Sequence, residues 1–214
     1  MSDQPTQPPI ARRTARSEER LYRPDALAAT LKRAAAALRE ANVPFMLCGS
    51  VACWARGGPE PFTTDVDFCV KPVDAERALA ALAGAGMRAE RPGEGWLFKA
   101  WDEHIPVDLL FAPADQPVTD AVLSRSDELI VLAVPMRVAS ATDVVTTKLL
   151  ALNEHSVDYE QLLQIARALR EQIHWPAVRK LTQHWPYAAA FFTLVERLGI
   201  ISDNELAGPE AGEP

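Results

Sequence analysis

A chain of 214 residues, 48% hydrophobic and 24% charged, is long enough to bury one substantial core or two small ones. Its formal charge of −7 argues against broad, sequence-independent attachment to nucleic acid, which draws most of its affinity from Lys and Arg on phosphates. No apolar run approaches the ~20 residues that a membrane span requires, and the N-terminus lacks a signal-peptide core, so a cytoplasmic protein with no membrane partner is expected.

Residues 1–20 carry Arg12, Arg13, Arg16 and Arg20 among Pro, Ser and Thr, the composition of a solvated, poorly ordered tail, with an RNA-steering arm as the alternative reading. The Ala- and Leu-rich stretch from Ala26 to Ala41 has the periodicity of an amphipathic helix. Pro44 to Cys48 reads as a short buried strand, and Val51 to Arg56 as the helix after it, which makes Gly49-Ser50 a strand-to-helix turn. A strand follows around Asp65-Val66-Asp67-Phe68, then a helix from Val73 to Gly84. Gly95–Trp101 and Ile105–Phe111 read as paired strands around Asp102-Glu103-His104, and Leu129–Val138 as strand material broken by Pro135. From Ser140 the period is helical through Leu198, with Ser140 and Asp143 forming an imperfect capping box and the two His-Trp-Pro repeats at 174 and 184 marking successive helix starts. The expected organisation is a tail (1–20), an α+β core (21–138), a helical C-terminal part (139–205) and a second tail (206–214).

The chemistry concentrates in the core. Asp65 and Asp67 stand two apart on a strand, so both carboxylates face the same way while Phe68 and Val70 face the other. Asp108 interrupts the apolar run IPVDLLF, where a carboxylate without a partner costs several kcal/mol. A metal ion is the natural partner, because three carboxylates offer hard oxygen ligands for Mg²⁺, which keeps part of its water shell and leaves positions for substrate phosphates. The turn at Gly49-Ser50 offers free backbone N–H groups and a hydroxyl where a phosphate could rest, although a Gly-Ser pair alone is more often only a turn. The three cysteines, Cys48, Cys53 and Cys69, have no metal-like spacing and read as free thiols packed like small hydrophobes.

In this order the motifs resemble the nucleotidyltransferases of the DNA polymerase β-like superfamily, whose signature is Gly-Ser, then Asp-x-Asp, then a third Asp on a later strand. The resemblance covers about residues 43 to 112, and the helical remainder looks like the C-terminal part of the MenT-like and AbiEii-like toxin members. It implies a mixed sheet flanked by helices and a reaction that moves an NMP from an NTP to an acceptor hydroxyl. It also implies two Mg²⁺ ions held by Asp65, Asp67 and Asp108, with Gly49 and Ser50 on the triphosphate. Lys148 and Asp158 match the lysine and later aspartate of the toxin-like members, though Lys148 also fits a core-edge lysine and Asp158 a helix cap. Arg56 is a candidate for phosphate or acceptor binding, or a solvated surface arginine. A tRNA 3′ end as acceptor and a cognate antitoxin as partner follow from the toxin resemblance. The alternatives are a nucleotidyltransferase acting on a small molecule of the aminoglycoside type, favoured by the acidic composition, and an inactive nucleotide-binding relative.

Overall fold

The computed structural model describes residues 24–61, 63–202 and 205–206, so the arginine-bearing tail and most of the closing one lie outside the described residues. Helix α1 (Pro24–Glu40) opens on a proline, whose missing N–H costs nothing in a first turn, and turns Leu27, Leu31, Ala34, Ala35 and Leu38 inward. It leads into β1 (Phe45–Cys48), which passes directly into α2 (Gly49–Ala55). Then come β2 (Val66–Val70), α3 (Ala75–Gly84), β3 (Arg88–Glu90), β4 (Leu97–Asp102) and β5 (Ile105–Leu110). A short α4 (Asp120–Ser124) precedes β6 (Asp127–Val131) and β7 (Val134–Val138). Helices α5 (Ala141–Leu150), α6 (Tyr159–Ala168), α7 (Trp175–Thr182) and α8 (Pro186–Arg197) complete the described chain.

The strands form one mixed sheet in the order β3-β4-β5-β2-β1-β7-β6. Antiparallel pairing joins β1 to β2 and β4 to β5, while β2 runs parallel to β5 and β1 parallel to β7. Helices α1 and α3 pack on the sheet face that carries Phe68, Val107, Leu109 and Ala100, all fully buried. Each large side chain buried there contributes about 1.5–3 kcal/mol. Asp102 points to this covered face and takes a hydrogen bond from Thr30 Oγ1 at 2.6 Å together with an ion pair from Arg33, both on α1. The opposite face carries Asp67 and Asp108.

The architecture is the expected α+β one, with two local differences. Pro135 does not break the last sheet segment; Leu132 and Ala133 do, at φ of 50° and 68°, forming a two-residue hairpin turn between β6 and β7. Pro135 is tolerated inside β7 because β1 pairs with β7 only at Val138, leaving no ladder partner on that side, and its carbonyl accepts from Arg39 at 2.7 Å. The short strand β3 at the sheet edge was not expected, since Arg88-Ala89-Glu90 has no strand-like pattern. In the helical segment, Ser140 caps α5 by accepting from Asp143 N at 3.0 Å, and prolines open α7 and α8 within their first turns.

Candidate active site

One row of side chains across four strands builds the site. The ladder pairs Cys48 with Asp67, Asp67 with Asp108, and Asp108 with Lys99, so all four residues stand on the same sheet face. Asp65 lies immediately before β2, and its carboxylate accepts a hydrogen bond from Thr63 Oγ1. One oxygen each from Asp65, Asp67 and Asp108 falls within 4.8 Å of the others, the convergence expected from strand parity. Such spacing suits carboxylates sharing cations that lie about 4 Å apart or less.

The electrostatics follow from that crowding. Asp67 keeps part of its surface open but is hemmed in by protein, and burial, with the neighbouring Asp65 and Asp108 carboxylates, pushes it up to about 7. Lys148 and Lys99 pull the other way without cancelling the effect. Asp108 is also raised, by burial first, against the hydrogen bond from Lys99. A cluster of three acids at the edge of the buried interior, two of them reluctant to ionise, fits a divalent cation, which would stabilise all three in the charged form.

Asp108 differs from the sequence expectation in one respect. Its burial is partly offset within the chain itself, because Lys99 Nζ contacts its two oxygens at 2.7 and 2.6 Å. Lys99 was missed in the sequence, although the hairpin register was within reach. Strands closing around Asp102-Glu103-His104 place position 99 opposite 108. A lysine inside the apolar run WLFKAW was the signal.

Gly49 is required where it stands. Its φ is +66°, and a Cβ built there would sit 1.9 Å from Asp67 Oδ2, so the turn backbone lies directly against the carboxylate. Beside it, Ser50 Oγ accepts from Lys148 Nζ at 3.0 Å, and the same ammonium donates to Gln161 Oε1 at 2.9 Å. Helix α5 thus delivers Lys148 to the Gly-Ser turn across 98 residues of chain. Gln161, a second residue missed in the sequence, orients it from α6. Asp158 caps α6 by accepting from Gln161 N at 3.1 Å, and it also lines a cavity of about 390 Å³ with Ser50, Cys53, Glu60, Glu160 and Gln161. The cap and pocket roles therefore coincide in one residue.

Arg56 is not brought into this group. Its guanidinium donates to Ala139 O at 2.5 Å, to Val138 O at 2.9 Å and to Asp127 at 2.7 Å, and its side chain is 8% exposed. It pins α2 to the end of β7, and these long-range backbone contacts have no local sequence signature.

Neither a protein-family model nor a curated protein matches this sequence. Similar solved structures exist. The solution structure of the antibiotic-resistance factor ANT(2'')-Ia has a TM-score of 0.57 at 15% identity, over 80% of this chain and 96% of that one. The crystal structure of ANT(2'')-Ia in complex with adenylyl-2''-tobramycin has a TM-score of 0.56 at 16% identity, over 78% and 97%. JHP933 from Helicobacter pylori has a TM-score of 0.52 at 13% identity, over 86% and 87%. At these identities the likeness is one of fold: a mixed sheet flanked by helices, the arrangement that the resemblance in the sequence implied.

Proposed function

We propose that this chain is a Mg²⁺-dependent nucleotidyltransferase that moves an NMP from an NTP to a hydroxyl of a cationic small molecule. The observation carrying the reaction class is the convergence of Asp65, Asp67 and Asp108 beside the Gly49-Ser50 turn, with Lys148 Nζ on Ser50. Asp65 and Asp67 would hold a divalent ion, which would supply charge neutralisation at the phosphates. Ser50 and Lys148 bind the outer phosphates and orient the α-phosphorus toward the carboxylates. Asp108 takes the proton of the acceptor hydroxyl as its oxygen bonds to the α-phosphorus, and the bond to the pyrophosphate oxygen breaks, that oxygen leaving with the electron pair. Nothing covalent forms on the protein.

The acceptor class rests on the cavity at Ser50. Asp158 and Glu160 line it, carboxylates that attract a polyamine-like sugar beside the triphosphate held by Ser50 and Lys148. Arg56, the arginine offered by the sequence for phosphate or acceptor binding, is committed to protein carbonyls and Asp127. The tRNA acceptor and antitoxin partner implied by the toxin resemblance have no comparable support, whereas a nucleotidylated aminoglycoside accompanies one of the fold neighbours.

The test is incubation with each α-³²P NTP and Mg²⁺, with either an aminoglycoside panel or total tRNA as acceptor. Label on the small molecule, lost in Asp67→Asn, is the expected result. Label on tRNA would overturn the acceptor, and no label in either arm would overturn the reaction class.

A further inference from the structure

The acidic cluster already contains a fixed cation. Lys99 Nζ straddles Asp108, almost equidistant from its two oxygens, and only about a quarter of the lysine side chain is exposed. Its position is set by the β4–β5 register, in which every pair from Leu97–Leu110 to Asp102–Ile105 is in step. Among the described residues, no ammonium or guanidinium makes an ion pair with Asp65 or Asp67. The three acids are therefore unequal: one is neutralised by the chain itself and two are not.

An ion ligated by Asp108 would bind at about 2.0–2.1 Å from an oxygen that an ammonium already contacts. It would lie within about 5 Å of that ammonium, close enough for like charges to disfavour joint occupancy. Asp65 and Asp67 remain open to a dication that also takes phosphate oxygens as ligands.

Resting on the metal-dependent reading above, we infer that Lys99 stands in for one of the two divalent ions such a centre would otherwise load. The protein takes a single dication, between Asp65 and Asp67, and Lys99 supplies the second positive charge through Asp108. Lys99 is thus a positioning residue: it holds the Asp108 carboxylate in place beside the acceptor hydroxyl and keeps a second ion out.

The test counts ions. Mn²⁺ binding to the full chain, in the presence of an α,β-methylene NTP, is followed by electron paramagnetic resonance and calorimetry. Wild type is expected to bind one Mn²⁺, and Lys99→Met two, the second at least about tenfold tighter than any second site in wild type. Lys99→Arg, which keeps the charge, should stay at one. Two tight ions in wild type, or one in Lys99→Met, would overturn the inference while leaving nucleotidyl transfer intact. If Lys99→Met does not fold, the wild-type and Lys99→Arg counts decide. No Mn²⁺ in wild type would overturn the metal-dependent reading itself and this inference with it.

Discussion

Asp102 and Asp108 lie on the two arms of the same hairpin and are almost equally buried, at 7% and 8% exposure, yet they are placed in opposite ways. Asp102 faces the covered side of the sheet, where Thr30 and Arg33 satisfy it and α1 closes over it. Asp108 faces the other side, where one lysine meets it but two further carboxylates crowd within 4.8 Å. Burial of an acid therefore does not by itself mark a site. What distinguishes the second region is unrelieved like charge next to a backbone turn that only glycine can occupy.

The sharpest way to separate the regions is to neutralise one acid in each. Asp67→Asn should lower nucleotidyl transfer by at least about 10³-fold, roughly 4 kcal/mol of transition-state stabilisation, as read from kcat/KM, while the fold persists. Gly49→Ala places a methyl group against the same carboxylate at a positive φ and should cost about 2–3 kcal/mol in urea unfolding, with activity lost alongside. Asp102→Ala should show the reverse of Asp67→Asn. It should lose about 2–3 kcal/mol of stability, because Thr30 and Arg33 lose their partner, yet transfer per folded molecule should stay near wild type. Smaller still is Lys148→Ala, with transfer down by about 10- to 100-fold and stability changed by under ~1 kcal/mol. An Lys148→Ala protein with wild-type turnover would remove the ammonium from the phosphate site.

The contrast also explains what could be read from the chain. Asp65, Asp67 and the Gly-Ser turn were legible because strand alternation and chain order fix them locally, and Asp108 because an acid in an apolar strand needs a reason. Lys99 required the hairpin register, which the turn residues imply but composition does not. The destination of Arg56 depended on carbonyls of residues 138 and 139, far away in sequence, and the turn at Leu132-Ala133 lacks the Asn-Gly or Asp-Gly that commonly marks one. Local chemistry was readable, and long-range satisfaction of donors was not.

The central claim, that like charge crowded on Asp67 by Asp65 and Asp108 is relieved by a cation, is tested most directly by thermal unfolding of wild type and Asp67→Asn without metal, at pH 5 and pH 8, and then with Mg²⁺. Asp67 is raised in the folded state from its ordinary 3.8 to about 7, so the folded protein binds this proton more tightly than the unfolded chain does. The contribution of Asp67 to stability is therefore complete below about pH 3.8 and is lost as pH rises through about 7. Metal-free wild type should therefore melt about 5 °C or more lower at pH 8 than at pH 5, and Mg²⁺ should restore much of the difference at pH 8. Asp67→Asn should melt higher than wild type at pH 8 without metal, show less pH dependence over this range and respond little to Mg²⁺. Equal melting and equal Mg²⁺ response in the two proteins would contradict the account.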